Sequence, residues 1–229
     1  MKSSRKEEFK IKEQFEKYRS LLCAYKKIEK IREEYKEKRG DLRGILNPFI
    51  EIWVAIKVAS ILEVRAGNVK VKLVPQENEV ADTKISINDH EFDFQITEAM
   101  EEGRKRDDEY KTKWQERING IEFKPKLAGG QFDAGEAHGA DWIKERVLEK
   151  AKKHYSPRPN LVVYANFLFE PENLDPQEIA NKCKEYQQEF DSIWVITNKH
   201  YLLLFDNHDN HVFGPISTDW ENMPQALSI

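Results

Sequence analysis

The stretch from Glu79 to Glu98 constrains the fold more than any other part of the chain, because it has the pattern of a β-hairpin. Thr83–Ile87 is rich in β-branched residues and predicts a first strand. Asn88–His90 predicts a turn, since Asn and Asp satisfy turn amides with their side chains and tolerate left-handed backbone geometry. Glu91–Thr97 alternates between polar and apolar side chains and predicts the second strand.

Side chains of the second strand divide between two faces. Phe92, Phe94 and Ile96 point to one face, which we expect to be buried. The opposite face carries polar residues, namely Glu91, Asp93, Gln95 and Thr97.

Asp82 stands where the first strand begins, so pairing about the turn brings it within a few residues of Asp93 and Gln95. Two carboxylates and an amide oxygen then share one face, and hard divalent cations prefer such oxygen ligands. A second interpretation is open, since half-buried antiparallel strands normally have one polar face in water.

Composition restricts the classes of protein that fit. The chain has 229 residues, 39% of them hydrophobic, and a formal net charge of −4, so no overall basic field points to nucleic acid. Two cysteines predict neither a disulfide framework nor a zinc site. Glu51 and Lys57 interrupt the longest apolar run, and the N-terminus lacks an apolar signal core. We therefore expect a cytoplasmic protein that does not bind membranes.

The first forty residues predict a charged helical arm, residues 1–40. Apolar residues recur there every three or four positions between residues 3 and 39, with acids and bases between them. Two interpretations are open: the helix packs on the main domain, or it joins two copies in a homodimer.

Residues 41–229 predict an α/β domain with a mixed central sheet flanked by helices, and with an insertion at about 98–135. Asn47-Pro48 predicts a helix start, and residues 98–115 predict a charged helix. The glycine-rich stretch 129–139 is interpreted as a lid or a connector, and His200, His208 and His211 as surface residues. Further helices are predicted at 140–154 and 175–190, and further strands at 69–74, 160–167, 192–197 and 201–205.

This order of elements resembles the core of restriction-endonuclease-like nucleases, the PD-(D/E)XK superfamily. In that family an Asp opens the second strand and a carboxylate-x-Lys triplet lies on the third. Here Asp82 matches the first acid, Asp93-Phe94-Gln95 matches the triplet, and Glu51 matches a glutamate of the first helix. Ala81 replaces the family's proline, and Gln95 stands where lysine is usual.

The resemblance implies a nuclease dependent on Mg²⁺ or Mn²⁺, with DNA as the expected substrate. It implies that Asp82, Asp93, the Phe94 carbonyl and Glu51 hold the metal. It also implies that Gln95 orients the attacking water. Candidate phosphate contacts are Arg104, Arg106 and Lys144. Because Gln95 replaces the lysine, a catalytically inactive module that binds nucleic acid or protein is the alternative.

Overall fold

A computed structural model describes residues 13–17, 19–37, 43–74, 80–104, 131–167, 170–208 and 213–224, apart from the side chains of 32–37, 43–48 and 131–137. Eight strands in these ranges form one mixed sheet, in which the spatial order of the strands follows their order along the chain. The predicted α/β class, with a mixed sheet flanked by helices, is confirmed.

The elements are numbered in chain order. The strands are β1 (Arg19–Ser20), β2 (Val69–Leu73), β3 (Thr83–Ile87), β4 (His90–Ala99), β5 (Asn160–Ala165), β6 (Ser192–Ile196), β7 (His200–Asp206) and β8 (Glu221–Asn222). The helices are α1 (Leu21–Glu37), α2 (Arg43–Ala66), α3 (Gln131–Ala151) and α4 (Pro176–Cys183), with 3₁₀ turns at Pro171–Asn173 and Lys184–Glu189.

Strand direction divides the sheet into three parts. Strands β1 to β4 run antiparallel to their neighbours. Strands β4, β5 and β6 are parallel, and β7 and β8 are again antiparallel. The parallel strands require crossover connections, which helices commonly supply; here α3 lies between β4 and β5, and α4 between β5 and β6.

The predicted hairpin is present as β3 and β4. Its turn has only two residues, Asn88 and Asp89, with φ angles of 48° and 68°. Two positive φ angles define the hairpin turn whose twist matches that of the flanking strands, and Asn and Asp tolerate them best after Gly. His90 pairs with Ile87 and so belongs to β4 and not to the turn.

Two hydrophobic cores cover the two faces of the sheet. The first contains α1, α2 and side chains of β2, β3 and β4, including Ile85, Phe94 and Ile96. The second contains α3 and α4 packed on β5 and β6 through residues such as Val147 and Val163. The alternation in β4 arises because Phe94 and Ile96 face the first core while Gln95 faces the side of the second.

The N-terminal segment differs from the single helix predicted over residues 3–39. A turn follows Gln14, β1 pairs with β2, and the helix begins at Leu21. Phe15 is buried, and its carbonyl accepts a hydrogen bond from the Leu73 amide at 2.9 Å. Helix α1 packs on the rest of the chain, since Ile28 is buried in the first core.

Three further boundaries differ from the predictions. Helix α2 begins at Arg43, so Pro48 lies inside it and not at its first position. Residues 98–99 belong to β4 and Glu102–Gly103 form a turn, so no helix begins at Glu98. Helix α3 begins at Gln131, so most of the glycine-rich stretch, interpreted as a lid or a connector, is helical. The rest of the predicted insertion, residues 105–130, lies outside the described residues.

Within the described ranges, no helix combines the length and the apolar character needed to cross a bilayer.

The packing of α1 predicts a large difference between two alanine substitutions on the same helix. Ile28 is 1% exposed and Leu22 is 54% exposed. We expect Ile28→Ala to lower the free energy of unfolding by about 2–5 kcal/mol, because it leaves a cavity. Leu22→Ala should change it by less than about 0.5 kcal/mol. Urea denaturation at two protein concentrations measures both values. A concentration-dependent loss at Leu22 would instead indicate that this helix packs on a second copy.

Candidate active site

Asp82 is fixed against β4 by two backbone contacts. Its amide donates to the Phe94 carbonyl at 2.9 Å, and its carboxylate Oδ2 accepts from the Ile96 amide at 2.8 Å. Thr83 pairs with Phe94 in the antiparallel register, so Asp82 lies beside Gln95. The carboxylate is therefore held at one position by the strand that carries the other polar residues.

Asp93 lies on the same face of β4, two residues before Gln95. It is opposite Lys84 of β3, whose ammonium is 2.9 Å from Asp93 Oδ1. Both side chains are about three-quarters buried. The structure thus places Asp82, Asp93 and Gln95 on one face, as the hairpin pattern predicts, and adds a lysine to it.

Gln95 is buried, and its amide group is held at both ends. The Nε2 atom donates to the Val80 carbonyl at 2.6 Å. The Oε1 atom accepts from the Lys150 ammonium at 2.5 Å and from the Tyr155 hydroxyl at 3.1 Å. The Val80 carbonyl is an acceptor, so the amide must turn its NH2 group toward Val80. The amide oxygen then faces Lys150.

Lys150 enters this site from the last turn of α3. Its Nζ is also 3.6 Å from Asp82 Oδ2, and its side chain is 15% exposed. Burial lowers the pKa of the Lys150 ammonium, and the negative charge of Asp82 partly offsets that effect. The motif in the sequence does not include this residue. A signal was present, because Ile143, Val147 and Lys150 follow one helical stripe and the first two are buried in the second core.

Tyr155 is a second residue of the site that the sequence motif does not include. Its hydroxyl reaches Gln95 from the segment after α3. Burial, together with the charge of Asp82, raises the pKa of Tyr155 to about 12. The phenol therefore remains a hydrogen-bond donor at neutral pH.

Glu51, on α2, is the third acid that the family resemblance matches. One of its carboxylate oxygens, Oε2, is buried. Its negative charge acts to raise the pKa of Lys150, which identifies the two residues as electrostatic neighbours. Glu51 is therefore coupled to Lys150 by charge.

The candidate phosphate contacts lie elsewhere. Arg104 follows the carboxyl end of β4, where it contacts Glu101 Oε2 at 3.0 Å and the Asn166 carbonyl. Lys144 forms an ion pair with Glu185 at 3.3 Å. Arg106 lies outside the described residues. The structure brings neither Arg104 nor Lys144 to the Asp82 site.

The donor set at this site has the chemistry that Mg²⁺ or Mn²⁺ requires. Asp82, Asp93 and Glu51 supply carboxylates, and Phe94 supplies a carbonyl that can accept at a second lone pair. The lysines beside Asp82 and Asp93 show that the site favours positive charge. Within the described ranges, however, no three His, Cys, Asp or Glu side chains form a ready-made metal cage. An ion at Asp93 therefore has to displace the Lys84 ammonium.

A polar pocket lies at the carboxyl ends of β5 and β6. There Glu172 accepts from Thr197 at 3.0 Å and contacts His200 at 2.5 Å. Burial acts to raise the pKa of Glu172, but the hydrogen bonds from His200 and Thr197 outweigh it and hold the pKa below its usual value.

The histidines predicted to be surface residues have acidic partners. His200 contacts Glu172, and His208 lies 2.8 Å from Asp206 with only 14% of its side chain exposed. Both side chains are partly buried and partly exposed, so they lie at the surface in contact with an acid. His211 lies outside the described residues.

Comparison of the chain with protein-family models, with curated proteins and with solved structures finds no match.

The hydrogen bonds of Gln95 predict that its side chain contributes to stability. Gln95→Leu leaves the Val80 carbonyl and the Tyr155 hydroxyl without this partner, and it removes one acceptor from the Lys150 ammonium. We expect a loss of about 2–4 kcal/mol in the free energy of unfolding, since each buried group left unsatisfied costs about 1–3 kcal/mol.

The matched control is Gln188→Leu, because Gln188 is exposed. It should change the free energy of unfolding by less than about 0.5 kcal/mol. Urea denaturation followed by tryptophan fluorescence gives both values. Equal stability of the two variants would contradict the buried network around Gln95.

Proposed function

We propose that the protein is a metal-dependent nuclease that hydrolyses phosphodiester bonds of nucleic acid, with DNA as the substrate. The observation that carries the proposal is the register of β3 and β4. It sets Asp82 beside Gln95 on the face that also holds Asp93. The charge of Glu51 on α2 acts on Lys150, which contacts Gln95 of this group.

Sheet topology supports the proposal. The resemblance implies three meandering strands followed by strands that are reached through helices. Strands β2, β3 and β4 are antiparallel neighbours, and β5 and β6 follow in parallel. Asp82 directly precedes the second strand of this series and Asp93 lies on the third, which agrees with the positions that the resemblance implies for these two acids.

The residues that would hold the ion are Asp82, Asp93, Glu51 and the Phe94 carbonyl. A bound Mg²⁺ would neutralise charge on the scissile phosphate and lower the pKa of a water molecule for attack. The chain's contribution begins with orientation, since the Ile96 amide holds one Asp82 oxygen and leaves the other for a ligand.

A local basic environment supports binding of a polyanion despite the net charge of −4. Lys84 and Lys150 lie on the acidic face itself. Lys153 is exposed and close enough to Lys150 for its charge to lower the pKa of that ammonium. Phosphate contacts of this kind set affinity and orientation and carry no sequence information.

A second candidate function is a nuclease-fold module that binds nucleic acid or protein without cleaving it. The internal ion pair between Lys84 and Asp93 favours this alternative, because it satisfies the carboxylate without a metal. The engagement of Gln95 Oε1 also favours it, since Lys150 and Tyr155 take both acceptor positions of that oxygen and leave none to orient water.

Cleavage of plasmid DNA, single-stranded DNA and RNA distinguishes the two functions. We expect cutting of DNA with Mg²⁺ or Mn²⁺ and none with EDTA. Asp82→Asn and Asp93→Asn should each lower the rate by at least about 100-fold, because carboxylate ligands of the ion are lost while the shape is kept. Urea denaturation of each variant checks its folding.

Cleavage that persists in EDTA would contradict the metal-dependent mechanism. A folded wild-type protein that binds DNA but cuts nothing would favour the binding module. Cleavage of RNA alone would retain the nuclease and overturn the choice of DNA.

A further inference from the structure

We propose that Lys150, presented by helix α3, is the catalytic cation of this site, and that Gln95 is the positioning residue that holds it there. This inference rests on the proposed nuclease function. The resemblance implies a lysine on strand β4 at position 95, where this chain has glutamine. We infer that helix α3 supplies that positive charge instead.

Lys150 occupies the position that such a group requires. Its Nζ lies 2.5 Å from Gln95 Oε1 and 3.6 Å from Asp82 Oδ2, between the strand residue and the acid. An ammonium has three N–H donors, and these two acceptors leave one donor for a further oxygen. A phosphate oxygen bound beside Asp82 lies within reach of that donor.

The packing of helix α3 directs the Lys150 side chain toward Gln95 and Asp82. Ile143 and Val147 are buried in the second core, as is Ala151 directly after Lys150. These contacts fix the rotation of the helix about its axis. The side chain is 15% exposed, and an ammonium with so little water interacts more strongly with charge that develops beside it.

Gln95 positions the lysine and does not orient water. Its Nε2 donates one hydrogen to the Val80 carbonyl, and Lys150 and Tyr155 take both acceptor positions of its Oε1, the atom that would orient water. Removing the amide should therefore act on cleavage through Lys150. This assignment replaces the role that the family resemblance implies for Gln95.

Hydrolysis of the phosphodiester requires no proton from Lys150. The water oxygen forms a bond to phosphorus, the phosphorus–oxygen bond to the leaving group breaks, and the electron pair stays on the departing oxygen. The proton lost by water balances the one that this oxygen gains. Lys150 remains an ammonium throughout and stabilises the negative charge of the crowded phosphate by a hydrogen bond.

The decisive experiment compares Lys150→Met with the exchange Gln95→Lys/Lys150→Gln. We expect Lys150→Met to lower kcat by about 100- to 1,000-fold, as for loss of one preorganised donor, with a much smaller change in KM. The exchange places the ammonium on strand β4 in place of helix α3, and it should restore cleavage to within about tenfold of wild type.

Metal binding supplies a readout that does not depend on cleavage. Calorimetric titration with Mn²⁺ should show that Lys150→Met binds the ion at least as tightly as wild type, because a positive charge beside Asp82 has been removed. The control is Lys152→Met, an exposed lysine two residues further on, which should cut and bind Mn²⁺ as wild type does.

The outcomes separate this inference from the nuclease proposal. If the wild type cuts and Lys150→Met cuts within about threefold of it, the inference fails and the nuclease stands. Loss of Mn²⁺ binding together with cleavage in Lys150→Met would make Lys150 a structural residue and also overturn the inference. If the exchange fails to fold, Lys150→Met decides alone. An inactive wild type overturns both proposals.

Discussion

The site depends on the register of the hairpin formed by β3 and β4. A turn of two residues pairs Ile87 with His90, and every later pair follows from that one, including Thr83 with Phe94. A slip of one residue would turn each side chain of one strand to the other face. Phe94 would then leave the first core, where it is completely buried. Apolar packing on one face of β4 therefore fixes the polar geometry on the other face.

The same strand is tied to the parallel part of the sheet by a chain of buried polar groups. Asn160 at the start of β5 donates to the Asp93 carbonyl at 2.9 Å and accepts from the Ser192 hydroxyl at 2.7 Å. The Ser192 oxygen in turn accepts from the Trp194 indole at 2.9 Å. Such networks strengthen as each member is satisfied. The backbone at Asp93 is thus anchored to two further strands, which limits how far a ligand can displace it.

Local pattern predicts part of this site and cannot predict the rest. The hairpin and the shared face of Asp82, Asp93 and Gln95 follow from alternation and turn chemistry, both of which act between residues close in sequence. The contact between Gln95 and Lys150 joins residues 55 apart, and it depends on where α3 crosses the sheet. The prediction of a single N-terminal helix is wrong for a related reason. The helical periodicity of apolar residues continues through Phe15, although the chain turns there.

The glutamine on β4 and the lysine on α3 are best understood as one feature of the sequence. A lysine at position 95 in addition to Lys150 would place two ammonium groups near Asp82 in a space with little water, and like charges so placed disfavour each other. A neutral amide avoids this repulsion and offers an acceptor to the lysine, while the Val80 carbonyl orients it. Asp82 and Glu51 supply the opposing negative charge. The neutral amide at position 95 therefore has its physical counterpart in the lysine on the helix, since each supplies the hydrogen-bonding group that the other needs.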